Sequence, residues 1–271
     1  MRGCLSVIFV LLYSVSFAQT KVSVLTQHND LQRTGWNNAE TILNHNNVNA
    51  ASFGLVGSFG IDDQLYAQPL IVNKLTIGAF TGSVVFVATV NNSVYAFNAD
   101  DPSYGVALWQ VNLRPAGQRA PTIFDLTDPD HGSPCGGGYR DFSGKIGIVG
   151  TPVIDTVAKT LYVCTKTIDA AGKFYMYINA LDLTTGLHKA NSPKLMTAEV
   201  SGTGDGSTGG KVSYLAKFQN QRPALLLYNN LVYAASASHC DWGPYHGWIL
   251  AYDATTLEQK YVYRHRCSKT K

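Results

Sequence analysis

His239-Cys240-Asp241-Trp242-Gly243-Pro244-Tyr245-His246 is the densest run of chemically capable side chains in the chain. Two imidazoles, a thiol and a carboxylate within eight residues could ligate a transition metal, because imidazole and thiolate suit zinc or copper. His239, Cys240, Asp241 and His246 are therefore candidate metal ligands. The competing reading is a loop: Gly243-Pro244 makes the turn, His246 bonds to backbone, and Trp242 and Trp248 pack. Arg140-Asp141 has the chemistry to orient a ligand carboxylate or a sugar hydroxyl, and equally that of a surface ion pair. Gly202 to Gly210 is glycine-rich around Asp205, a candidate cation ligand. That run lacks the Lys-Ser/Thr ending of a phosphate loop, and no helical pattern follows it, so it reads as a loop between strands. There is no Gly-x-Ser-x-Gly elbow and no Cys-x-x-Cys pair, which leaves serine-hydrolase and thiol-redox chemistry without a starting point.

The elements that must position these residues recur. Gln68-Pro69-Leu70-Ile71-Val72, Val84-Val85-Phe86-Val87-Ala88 and Ser93-Val94-Tyr95-Ala96-Phe97-Asn98 form a first copy. Thr151-Pro152-Val153-Ile154-Asp155, Leu161-Tyr162-Val163 and Ile178-Asn179-Ala180-Leu181-Asp182 form a second. Arg222-Pro223-Ala224-Leu225-Leu226, Leu231-Val232-Tyr233-Ala234 and Trp248-Ile249-Leu250-Ala251-Tyr252-Asp253 form a third. Each copy predicts four short strands, A to D. The spans are 67–72, 83–89, 93–98 and 108–113, then 150–154, 160–166, 174–182 and 187–193, then 222–228, 231–237, 247–253 and 257–263. Their β-branched and aromatic density and the Asn, Thr and Gly turns between them fit strands. A repeated four-stranded unit that cannot bury both its faces alone is the mark of a propeller blade. The predicted fold is therefore all-β: an incomplete β-propeller of about three antiparallel blades, near 67–113, 150–193 and 222–263, in a region spanning 67–271.

Ala96 to Ala180 is 84 residues and Ala180 to Ala251 is 71, against about 40–50 for ordinary blades. The excess lies in the D–A connections 114–149 and 197–221 and the B–C connection 238–246, with a longer A–B loop at 73–82. In an up-and-down blade the D–A and B–C connections share one face. That face gathers His131, Cys135, Arg140, Asp141, Asp205, His239, Asp241 and His246, and long loops on a rigid scaffold are where binding resides.

Residues 1–18 carry Arg2, an apolar run from Cys4 to Phe17, and Ser16-Phe17-Ala18 before Gln19, the pattern of an export signal. The run is shorter than the ~20 residues that span a bilayer, and no later run qualifies. An N-terminal membrane anchor is the competing reading. Residues 19–66 form an Asn-rich leading segment. Export leaves Cys135, Cys164, Cys240 and Cys267 in an oxidising compartment, with the pairing open. A net charge of +3, with basic residues scattered among 271, predicts no nucleic-acid partner. Asn91-Asn92-Ser93 is a glycosylation sequon at a B–C turn.

The leading segment, with His28-Asn29-Asp30, Gln32-Arg33-Thr34-Gly35 and Asn46-Asn47-Val48, resembles the opening of quinoprotein dehydrogenase propellers. Val94-Tyr95-Ala96-Phe97-Asn98 followed by Leu108-Trp109-Gln110 is similar to their tryptophan-docking repeat. Ala180-Leu181-Asp182 with Thr185-Gly186, and Ala251-Tyr252-Asp253 with Thr255-Thr256, keep part of it without the Trp. More closely, the chain resembles exported bacterial proteins with pyrroloquinoline quinone-like repeats and no established reaction. Tyr66-Ala67-Gln68-Pro69-Leu70, Gly147 to Asp155, Gly202 to Gly206 and Gly243 to Trp248 carry that likeness. Those relatives look like complete rings, which implies either a truncated chain here or a ring completed by partners, self-association included. A quinoprotein dehydrogenase would hold calcium, a carboxylate base and a quinone over a Trp floor. The resemblance implies that Cys135-Gly136-Gly137-Gly138 stands where the family places an adjacent Cys-Cys pair. The expected function is an exported propeller that binds a small molecule, glycan or protein at its long-loop face. The alternative is a fragment of a quinone-dependent alcohol or sugar dehydrogenase.

Overall fold

Period-two alternation of apolar residues, punctuated by Asn, Asp and Gly turns, builds an all-β molecule. The structure is a computed structural model and describes residues 21–142 and 144–265. The expected signal at 1–18, and Cys267, lie outside the described residues. Sheet one is an antiparallel meander of β1 (Leu70–Ile77), β2 (Phe80–Ala88), β3 (Ser93–Asn98) and β4 (Trp109–Asn112). After β5 (Gln118–Arg119), sheet two runs β6 (Val153–Asp155), β7 (Thr160–Asp169), β8 (Phe174–Asp182) and β9 (Lys194–Leu195). A separate hairpin, β10 (Glu199–Ser201) and β11 (Lys211–Ser213), and the short β12 (Gln219–Asn220) follow. Sheet three is β13 (Leu226–Tyr228), β14 (Leu231–Ser238), β15 (Gly247–Asp253) and β16 (Gln259–His265).

The register repeats as the sequence repeats. Phe86 pairs with Ala96, Tyr162 with Ala180, and Tyr233 with Ala251. Sheet one buries Leu70, Phe86 and Ala96 against Leu161, Val163 and Leu181 of sheet two. Sheet two turns Tyr162, Cys164 and Ile178 the other way, against Val232, Leu250 and Tyr252 of sheet three. The segments entering the first strands lie side by side: Gln68 N donates to Thr151 Oγ1 at 2.9 Å, and Leu225 N to Thr151 O at 2.9 Å. At the outer edge, the Trp109 indole packs over Gly186 and donates to Leu183 O at 3.0 Å. Tyr162 donates to Ala254 O at 2.7 Å. Leu183 and Ala254 each follow the last Asp of a third strand, so the two sheet junctions use one device.

Three expectations need correction. The span 73–82 is not a loop: β1 and β2 run on to a two-residue turn at Gly78-Ala79, with Gly78 at φ 58°. A bulge at Asn73-Lys74 re-registers the pair, and Thr76 and Thr81 hydroxyls meet at 2.9 Å. The last strand of sheet two is 194–195, not 187–193. A single bridge at His188, with Asp182 N bonded to Leu187 O and Lys189 N to Ala180 O, opens the pairing; Ser192 N then turns back to Lys189 O and Pro193, without an N–H, interrupts the ladder. The second strands β7 and β14 also outrun their first strands, so β5 and β12 add a fifth pairing partner to sheets two and three.

Candidate functional site

At the end of the stack where β2, β7 and β14 finish, the long connections converge on residues 239–246. The connection between sheets one and two reaches this loop through a disulfide, Cys135–Cys240, 105 residues apart in sequence. Trp242 donates its indole N–H to His131 O at 2.8 Å and packs on Phe218 with ring centroids 4.4 Å apart. The β10–β11 hairpin meets the other half of the loop. His246 Nε2 lies 2.6 Å from Asp205 O, and Gly206 abuts Pro244. The glycine-rich run 202–210 is thus the tip of a docked hairpin.

Beneath the disulfide lies a buried polar chain that crosses all three sheets. Asn92 Nδ2 donates to Lys166 O at 2.9 Å. Lys166 Nζ reaches Lys217 O at 3.0 Å, Gln219 O at 2.9 Å and His239 Nε2 at 2.7 Å. His239 Nδ1 meets the Tyr139 hydroxyl at 2.9 Å. Burial pushes the lysine well below its ordinary range. Burial, then the neighbouring lysine, does the same to His239, and burial raises Tyr139. With all three neutral, one orientation satisfies every atom: Tyr139 O–H donates to Nδ1, Nε2–H donates to the lysine lone pair, and the amine donates to two carbonyls. This relay of hydrogen bonds ends on backbone carbonyls and holds no net charge in the core.

Two grooves flank the tip of the β7–β8 hairpin. One, of about 460 Å³, is lined by Phe174, Met176, Tyr214 and Phe218, with Lys173 and Lys217 at its rim. The other, of about 570 Å³, lies between Gly117–Arg119, Asp125 and Ile168–Gly172. There, hydrogen bonds from Arg119 hold the Asp125 carboxyl down to about 2, against the upward push of burial. On sheet one, Asp62 from the leading segment accepts from Thr89, Asn91 and Ser93 and pins the β2–β3 turn. Burial works to raise the Asp62 carboxyl, and these bonds outweigh it and hold it below its usual range. The sequon residues Asn91 and Ser93 are thus hydrogen-bonded within the fold.

The candidates picked from sequence share this end but form no single cluster. His239 is fully buried in the relay, Cys240 is oxidised to Cys135, and His246 bonds Asp205 backbone. Asp241, Arg140, Asp141 and the Asp205 side chain point to solvent. Among the described residues no three His, Cys, Asp or Glu side chains gather as a metal ion requires. The quinone and calcium implied by the resemblance do not fit the residues present. Cys135 is bonded to a distant cysteine rather than to an adjacent one, and among the described residues no three carboxylates gather as a calcium site would draw on.

Sequence reasoning missed Lys166, Tyr139 and the groove residues Phe174, Tyr214 and Phe218. A signal for the first was present: Tyr162, Cys164, Lys166 and Ile168 share one face of a strand buried almost throughout. No protein-family model matches the chain, and no curated protein is detectably similar to it. No helix among the described residues is long and apolar enough to cross a membrane. What is shown is an all-β chain of stacked antiparallel sheets with a disulfide-locked loop end.

Proposed function

We propose that the chain is an exported β-propeller of quinoprotein-like repeat type, with about three blades, that binds a ligand at its long-loop end. Several observations support the propeller. Each repeat is a four-stranded meander, the three first strands stand together, and an aromatic side chain, Trp109 or Tyr162, bonds across each sheet junction. The Cys135–Cys240 bond supports export, since such bonds persist in oxidising compartments.

The single observation that carries the binding reading is the groove between Phe174-Tyr175-Met176 and Tyr214–Phe218. It has an apolar, aromatic floor, and Lys173 at the rim is exposed and charged. Such a lining takes a small ring-bearing ligand with an acidic or hydroxyl-rich edge, an aromatic carboxylate or a sugar acid. The relay lies next to it, with the Lys166 amine 5.4 Å from the Phe174 ring. Trp242, packed on the groove residue Phe218, supplies the readout. Titration with aromatic carboxylates and aldonic acids is expected to shift tryptophan emission saturably. Lys173→Glu should weaken that binding about tenfold. An unmoved spectrum across the panel, or equal affinity in the variant, rejects the groove as the site. Reduction of a redox dye after addition of quinone and calcium, with an alcohol or aldose present, would replace this reading with the dehydrogenase one.

A further inference from the structure

The second groove beside the β7–β8 hairpin has walls that the fold fixes in advance. Gln118 of β5 pairs directly with Asp169 of β7, and Arg119 with Ile168, so the sheet itself sets the two walls one strand apart. The Arg119 guanidinium grips Asp125 through two bonds, at 2.8 and 2.6 Å, and reaches Ala120 O at 3.2 Å. Gln118 accepts from the buried Thr167 hydroxyl at 2.6 Å and donates to the Tyr177 hydroxyl at 3.2 Å. Asp169 accepts from Ala171 N and Lys173 N through one oxygen, and from the Tyr175 hydroxyl at 2.8 Å through the other. Each planar polar group is therefore held in one orientation before any ligand arrives, which spares the entropy of ordering it on binding.

What these bonds leave over selects the occupant. Arg119 keeps N–H groups, and Gln118 one amide N–H, without a partner among the described residues, and Asp169 Oδ2 keeps a lone pair. The Arg119 charge is cancelled by Asp125, whose carboxyl stays ionised down to about 2. Lys173, with its amine 5.2 Å from the Tyr175 ring centre, supplies a counter-charge near Asp169. An anion thus finds no free cation here. A metal ion finds no group of three carboxylate, imidazole or thiolate ligands among the described residues. Only Ile168 and Ala170 offer apolar side chains, too little for a hydrophobic ligand. Donors and acceptors side by side on locked planar groups, without excess charge, match the vicinal hydroxyls of a sugar. The volume, about 570 Å³, lies within the roughly 300–1,000 Å³ of small-molecule sites.

We infer that this groove is a binding site for a neutral glycan, with Arg119 and Gln118 donating to sugar hydroxyls and Asp169 accepting from them. The inference does not rest on the ligand proposed for the first groove. The two grooves share Gly172, but Ala170 lines only the second.

Calorimetric titration with uncharged trisaccharides of glucose, mannose, xylose and N-acetylglucosamine tests this. At least one is expected to bind saturably, with a Kd of about 10 µM to 1 mM. Ala170 is exposed, and Ala170→Arg fills the groove and sets a cation against Asp169, which should weaken binding at least about tenfold. Asp169→Asn keeps an oxygen for the turn and removes the charged acceptor, for a loss of about three- to tenfold. Near-ultraviolet circular dichroism should be unchanged in both. The absence of saturable heat from every trisaccharide overturns the inference. So does wild-type affinity in both variants, or gluconate binding more tightly than every neutral sugar. Titrating the Ala170→Arg protein with aromatic carboxylates, read by tryptophan emission, should match the wild type, so the two grooves fail separately.

Discussion

Sheets two and three are built from the same sequence pattern and meet different surroundings. In β7 nine of ten positions are buried, because sheet one covers one face and sheet three the other. In β14 burial alternates strictly, as expected for a strand with one open face. Tyr162 and Tyr233 hold equivalent register positions, yet only Tyr162 is enclosed and hydrogen-bonded to a neighbouring sheet. The difference teaches that burial here belongs to the stacking of repeats. It is not a property of the repeat itself, as in other arrays whose units contact only their neighbours.

Matched truncations give the largest test of that contrast. Tyr162→Ala should cost about 3–5 kcal/mol, because it opens a cavity in a closed seam and removes a buried hydrogen bond. Tyr233→Ala, in dilute protein, should cost about 1 kcal/mol. Urea midpoints measure both, and equal costs would show that the third face is covered in solution.

The next effect concerns the tie between the covered and open sheets. Cys135→Ser should cost roughly 3–4 kcal/mol, since the bond closes a loop of over a hundred residues in the unfolded chain. The loss should be the same after mild reduction of the native protein, read by thermal melting. A melting point indifferent to reductant would mean that the two loops are held by Trp242 and Tyr139 contacts alone.

Smallest per unit of the quantity varied is a slope with pH at the seam between the same two sheets. The unfolded chain keeps Lys166 protonated up to its ordinary 10.5, whereas burial holds the native amine neutral well below that. The unfolded state therefore binds more protons, and stability should rise with pH toward 10.5, by up to about 1.4 kcal/mol per pH unit. His239 adds the acid limb: its native pKa also lies below the ordinary 6.5, so stability should fall as pH drops beneath 6.5. Urea unfolding across pH should show both limbs, and Lys166→Met should flatten the alkaline one. An unchanged alkaline slope in that variant would place the titrating group elsewhere.

The sequence by itself determined the repeats, the strand types and most of the pairing. Side chains alternate with period two, so Phe86, Tyr162 and Tyr233 could be aligned with Ala96, Ala180 and Ala251 from the text alone. Turns set by Thr-Thr-Gly and Asp-Ala-Thr-Thr are equally local, because Asp182 and Asp253 accept from backbone N–H groups two and three residues on. Where local rules competed, they were a weaker guide. The bulge at Asn73-Lys74 let β1 run on where pattern alone predicted a loop, and the turn at Ser192-Pro193 interrupted a strand that pattern alone made continuous. The loop end was legible as a gathering of long connections and illegible in its contents. Cys135 has no local feature that selects Cys240 over Cys164 or Cys267, since pairing depends on which chain ends the stack brings within reach. Lys166, His239 and Tyr139 are separated by scores of residues, and only the packing of sheet two on sheet three removes water from among them. Tertiary structure decided that chemistry because desolvation is a property of a place, and a sequence specifies places only once its distant parts have met.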